Sequence, residues 1–136
     1  MSVPECERSK PKLEAIVKAM DLASYTIKIT SNENVFKPQF QTALTDDIVH
    51  VARSIYSNAW KANNINVSKN PNLKDERKRF QVLAVAECYE LLSLIQLAKP
   101  VFHLTSKRIR FWGYKTIKCR LLLQAWKDSD SKRYNY

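Results

Sequence analysis

Nucleophilic, acid–base and metal chemistry need side chains in company, and in this chain the candidates stand apart. The 136 residues include two histidines, His50 and His103, and three cysteines, Cys6, Cys88 and Cys119. No two cysteines stand at metal-ligand spacing, and an odd, scattered set is no disulfide framework. Nothing near either histidine suggests a Cys/His or Ser/His nucleophile pair. Asp46 and Asp47 are neighbours on a predicted helix, where adjacent side chains point about 100° apart and do not converge on one ion or substrate. Acidic residues in an early helical turn are accounted for by the helix dipole. Glu-x-x-His pairs, which build di-iron sites in bundles, are absent. Glycine occurs once, at Gly113. A phosphate-cradling loop needs several glycines, so neither a P-loop nor a dinucleotide fingerprint can be written here. These residues predict a protein that is not an enzyme, with no catalytic residue, no metal and no cofactor.

The residues with chemical content are basic. Lys and Arg number 23 against 13 Asp and Glu, a formal net charge of +10. Residues 101–136 hold nine basic and two acidic side chains, net +7, while residues 1–34 are neutral overall. Within that last stretch Lys107, Arg108, Arg110, Lys115, Lys118 and Arg120 are interleaved with Phe111 and Tyr114. Cations neutralise phosphates and release counterions, and aromatic rings stack on unpaired bases, so this set is the candidate nucleic-acid surface, for RNA and/or DNA. The same pattern also suits a solvated helix face. A second candidate is Arg77-Lys78-Arg79, although Asp75 and Glu76 beside it also invite pairing within the helix. Trp60, Trp112 and Trp126 lie on or beside apolar stripes and are expected in the core, as are Cys88 and Cys119.

The elements that must position these residues are helical. Scarce glycine disfavours tight hairpins, whose turns need positive φ. A first helix is expected over residues 11–30, with Pro11 in its first turn and Ser9 as cap. Its two apolar stripes are Leu13, Ile16, Val17, Met20, Ser24 and Ile27, and Ala15, Leu22, Tyr25 and Ile29. A second runs from about Pro38 to Asn64 on Leu44, Ile48, Val51, Ala52, Ile55, Ala59 and Ala62, with His50 opposite. The asparagine-rich segment 63–72 reads as a turn. A third, about 73–98, is apolar on nearly every side and is expected to be central, ended by Pro100. Its run Val82–Leu97 is interrupted by Glu87, Glu90, Ser93 and Gln96 and reads as too polar to span a membrane. A fourth, about 106–127, carries Ile109, Trp112, Thr116, Cys119, Leu123 and Trp126 on one face. Gly113 beside that stripe suggests a close helix crossing, and the polar tail from Asp128 is expected to fray. The whole reads as one domain over residues 1–136, an all-α, up-down-up-down antiparallel four-helix bundle. Surplus apolar surface on the first and fourth helices points to a homo-oligomer. Residues 1–12 have no apolar h-region and do not read as a secretory signal, so a cytoplasmic location is expected.

Three runs together carry a family resemblance. They are Phe36-Lys37-Pro38-Gln39-Phe40-Gln41-Thr42-Ala43-Leu44-Thr45-Asp46-Asp47-Ile48, Ile55-Tyr56-Ser57-Asn58-Ala59-Trp60-Lys61-Ala62-Asn63, and Tyr25-Thr26-Ile27-Lys28-Ile29-Thr30. In combination the chain resembles the Avd-like four-helix bundle family. That family comprises accessory variability determinants of diversity-generating retroelements and the wider group encoded in ribosomal-RNA intervening sequences. Some retroelement members end their fourth helix in a glycine-rich turn with tryptophan; here Leu123 to Asp130 has the tryptophan and no glycine. The resemblance implies a basic homopentamer that binds a reverse transcriptase and nucleic acid and supports mutagenic cDNA synthesis without catalysing it. For the intervening-sequence branch it implies an oligomeric interaction scaffold. No site residue is carried over from the family.

Overall fold

The computed structural model describes residues 5–136, with side chains from Lys12 onward, and these residues form four packed helices and no strand. The helices are α1 (Glu5–Thr30), α2 (Asp46–Asn63), α3 (Lys74–Phe102) and α4 (Ser106–Tyr134). Residues 1–4 and the side chain of Cys6 lie outside the described residues. Each helix packs against its two neighbours in the cycle α1–α2–α3–α4, so the all-α four-helix bundle is the observed architecture. The antiparallel sense is visible in the pairs that join helices. Asn58 meets Glu87 and Arg77 reaches Ala62, while Arg77 also meets Asp130 and Arg120 lies over Tyr89.

The helix limits differ from the sequence expectation where local signals were overridden. Helix α1 begins before Pro11, so Ser9 sits inside the helix and is not its cap. Between residues 38 and 45 the chain makes a 3-10 turn and then a π-helical turn, Gln41–Thr45, before α2 proper. Helix α3 runs through Pro100 to Phe102. It stops at His103, whose left-handed backbone (φ 55°) turns its N–H back to the Lys99 carbonyl. A non-glycine residue there costs about 1–2 kcal/mol, offset by the satisfied carbonyls of the last turn. Thr105 then caps α4, its hydroxyl accepting the Arg108 N–H at 3.2 Å. The tail does not fray: α4 extends to Tyr134 and ends at Asn135, again left-handed.

The core confirms two stripes and corrects others. All seven stripe residues of α2 and all six of α4 are buried. On α1 the stripe Leu13, Val17, Met20, Ile27 faces outward, and Ala15, Ala19, Leu22 and Thr26 face inward. Helices α1 and α2 pack against each other, and both contribute alanines to the core: Ala15, Ala19 and Ala23 from α1, and Ala52, Ala59 and Ala62 from α2. Periodicity finds both stripes of α1 but does not say which one the neighbour covers. Helix α3 is not central. Its Ala84, Cys88, Leu91, Ile95 and Ala98 face the core, while Val82, Leu83, Tyr89 and Leu97 are exposed. By length and composition α3 is apolar enough to cross a membrane, contrary to the sequence expectation; in the bundle one face packs against α2 and α4. Trp112 and Trp126 are buried as expected, but Trp60 is 49% exposed. The buried indole of Trp112 donates to Thr26 Oγ1 at 3.0 Å, which locks α4 to α1. Gly113 does not mark a close crossing: a Cβ there would meet only Leu92 Cδ2, at 4.0 Å, an ordinary contact.

Candidate nucleic-acid interface

The Thr105 cap sets where α4 starts, and the buried stripe from Ile109 to Trp126 sets its rotation. With both fixed, Lys107, Arg110, Tyr114 and Lys118 fall on the outer surface, all exposed. From Lys107 to Lys118 they extend about 16 Å along the axis at 1.5 Å per residue. None of these three cations is paired with a carboxylate among the described residues. Tyr114 stands between them with 66% of its surface exposed. A row of unpaired cations with an accessible ring between them can neutralise successive phosphates and stack a base.

The remaining candidates on α4 are partly engaged. Lys115 forms an ion pair with Asp21 of α1 at 2.6 Å, and its ammonium lies over the rings of Tyr25 and Phe111 at 5.3 and 5.1 Å. Phe111, half-exposed, packs edge-on against Tyr25 at 5.3 Å. Lys115 and Phe111 therefore help to hold α1 against α4 at the border of the surface. Arg108 is half-buried beside the helix start. Arg120 is half-buried, with its guanidinium 4.9 Å from the Tyr89 ring centroid on α3.

The second cluster, Arg77-Lys78-Arg79, does not form one surface. Arg77 is corrected outright: it is 5% exposed and is part of the core, not of a ligand surface. Its Nε donates to Asp130 Oδ2 at 2.7 Å, and Nη1 donates to the carbonyls of Ala62 and Ile65 at 3.2 and 2.8 Å. Its guanidinium lies over the rings of Trp126 and Tyr134 at 5.3 and 5.5 Å. Asp130 also accepts from Gln81 Nε2 at 2.6 Å, and Tyr136 Oη donates to Gln81 Oε1 at 3.1 Å. Burial and the nearby Asp130 carboxylate push the Tyr136 hydroxyl well above its usual pKa. Lys78 lies over the Tyr136 ring at 5.6 Å. Arg79 remains exposed but pairs with Glu76 one turn before it. That hydrogen bond lowers the Glu76 pKa and raises that of Arg79. The cluster fragments because successive helical positions point about 100° apart, so three adjacent cations cannot share a face.

One feature escaped the sequence reading. Between α1 and α2 lies an open groove of about 800 Å³, lined in part by Met20, Ile27, Tyr56 and Trp60 and by Lys28, Arg53 and Lys61. Its signal in the sequence was the outward apolar stripe of α1, whose partner across the groove only folding supplies. Cys88 and Cys119 are fully buried. Hydrogen bonding with Cys119, then burial, raises the Cys88 thiol far above its ordinary pKa, so that thiol is not placed as a nucleophile. Among the described residues no group of three or more His, Cys, Asp or Glu side chains is placed to hold a metal ion. In comparisons with known proteins, the chain matches no family model, no curated protein and no solved structure.

Proposed function

We propose that this chain is a non-catalytic, nucleic-acid-binding accessory protein that works as a homo-oligomer beside a reverse transcriptase in the cytoplasm. The observation that carries the binding part is the outer face of α4, where Lys107, Arg110 and Lys118 are exposed and unpaired around the exposed Tyr114. The reverse transcriptase and a pentameric assembly come from the resemblance of residues 25–30, 36–48 and 55–63 to the Avd-like family. Self-association is supported by the row Val82, Leu83, Tyr89 and Leu97 on α3, large apolar side chains that the monomer leaves exposed. A second reading, an interaction scaffold of the intervening-sequence type, is favoured by the groove between α1 and α2.

Binding of a single-stranded RNA, followed by fluorescence anisotropy against salt, tests the leading reading. Three neutralised phosphates give a slope of about −2 in log affinity against log salt, or roughly a 20-fold loss between 50 and 200 mM. Reversing Lys107, Arg110 and Lys118 to Glu should remove that slope while leaving the melting temperature unchanged. An affinity that is flat with salt, or indifferent to the triple reversal, refutes it.

A further inference from the structure

The groove between α1 and α2 has a built chemistry that the α4 surface lacks. Its floor is apolar and accessible: Met20 and Ile27 from α1 are about half-exposed, and so is Trp60 from α2. Its lining is also cationic, with Lys28 next to Ile27, Lys61 next to Trp60, and Arg53 two turns before Trp60 on α2, and among the described residues no carboxylate lines it. We propose that this groove is the docking site for an acidic amphipathic helix of a partner protein.

Length, floor and charge select that occupant. Met20 and Ile27 are seven residues apart on one helix, about 10.5 Å or two turns. A docking helix presents its anchors at i, i+3, i+4 and i+7 over the same distance. Two aligned helices leave a trough that a third helix fills by ridge-into-groove packing. The floor is half aliphatic, and Met is a residue that adapts to varied side chains. On α4 the exposed ring stands within a row of cations, whereas here the accessible aliphatic side chains of Met20 and Ile27 share the trough with Trp60, and Tyr56 is half-buried against it at 6.3 Å; an aliphatic surface offers nothing for bases to stack on. Another copy of this chain brings a net charge of +10 toward a cationic lining. Acidic flanks meet the cations that line the trough, which sets specificity and speeds encounter. The inference stands apart from the nucleic-acid reading, which concerns α4.

The test uses two designed peptides of about 16 residues, long enough for four helical turns. Both carry Leu and Phe at i, i+3, i+4 and i+7; one has Glu on its flanks and the other Lys. The readouts are the dissociation constant and the indole N–H resonance of Trp60, assigned with Trp60→Phe. The Glu peptide should bind at least about tenfold more tightly than the Lys peptide and should move the Trp60 resonance. Lys28→Glu with Arg53→Glu, both at exposed positions, should weaken the Glu peptide by about tenfold or more. Melting temperature and RNA affinity should not change. Met20→Asp should abolish peptide binding. The proposal is overturned by equal affinity for the two peptides, by no binding at millimolar peptide, or by binding that leaves Trp60 unmoved. Displacement of the peptide by oligo(dT) at matching concentration would assign the groove to nucleic acid instead. Shielding of Trp60 from acrylamide in the protein alone would assign it to a second copy. Loss of RNA binding in the α4 triple variant with peptide binding intact would separate the two sites.

Discussion

Replacing Asp130 with Ala tests the least local feature of the fold. Asp130 stands in the polar tail, where the composition alone implies that such a change is harmless. The structure places it in the core, 3% exposed, as the counter-ion of Arg77 and an acceptor for Gln81. Removing it leaves a guanidinium buried without its carboxylate and strands the Gln81 amide. Breaking a buried ion pair from one side costs about 3–5 kcal/mol. At about 2.1 cal/mol/K per residue, a chain of this length has an unfolding entropy near 0.29 kcal/mol/K. The melting temperature should therefore fall by about 10–17 °C. Asp128→Ala is the internal control, since Asp128 is exposed and its Gln124 contact is on the surface; it should stay within about 0.5 kcal/mol. Replacing both partners, Arg77→Met with Asp130→Leu, should recover most of the loss, because no charge is then left buried. Urea melts followed by circular dichroism read all four proteins. A loss below about 1 kcal/mol for Asp130→Ala, the range of an exposed pair, would refute the buried latch and restore a frayed tail. RNA affinity should not change in any of them, since neither residue belongs to the α4 outer face.

Gly113→Ala should stabilise the protein by about 0.5–1 kcal/mol, read as a melting temperature raised by a few degrees, because the added methyl fits and the helix loses its glycine; a drop would mean a hidden close contact. Trp112→Phe removes the donor to Thr26 Oγ1 and should cost about 1–3 kcal/mol, measured by denaturant midpoint. The raised Cys88 pKa makes a pH prediction. The unfolded thiol ionises near pH 8.5 while the folded one stays protonated, so its contribution is complete below about 8.5 and is lost as pH rises. Wild type should lose about 1.4 kcal/mol more per pH unit above 8.5 than Cys88→Ala, read from urea midpoints between pH 8 and 10; parallel profiles would refute it.

The exposed apolar residues of α3 and α4 differ in what surrounds them. On α3 the row Val82, Leu83, Tyr89, Leu97 is interspersed with few charges, whereas on α4 Tyr114, Ile117 and Leu121 alternate with Arg110 and Lys118. A surface mixed in that way tolerates water and suits a polyanion; the α3 row suits burial against protein.

Local spacing was enough for part of this protein. Helical character followed from one glycine and from apolar residues at three- and four-residue intervals, and the core stripes of α2 and α4 were legible because on each helix one unbroken apolar stripe carries no charge. Lys107, Arg110 and Lys118 were legible for the same reason, since opposite a fixed stripe a charged residue faces water, whereas Arg108, Lys115 and Arg120 flank the stripe and are half-buried. Four things did not follow from periodicity. Helix α1 has two apolar stripes, and only packing against α2 and α4 decides that the alanine face is the covered one. Trp60 neighbours the core residue Ala59 but stands about 100° round the helix from it, in a groove that α1 completes. Pro100 did not end α3: it falls in the last turn, and the left-handed backbone at His103 closes the helix three residues later. Arg77 and Asp130 each read as surface charge, and each is buried only because the other, 53 residues away, neutralises it. Periodicity describes one helix at a time, and all of these outcomes but that at Pro100 depend on what stands across from it.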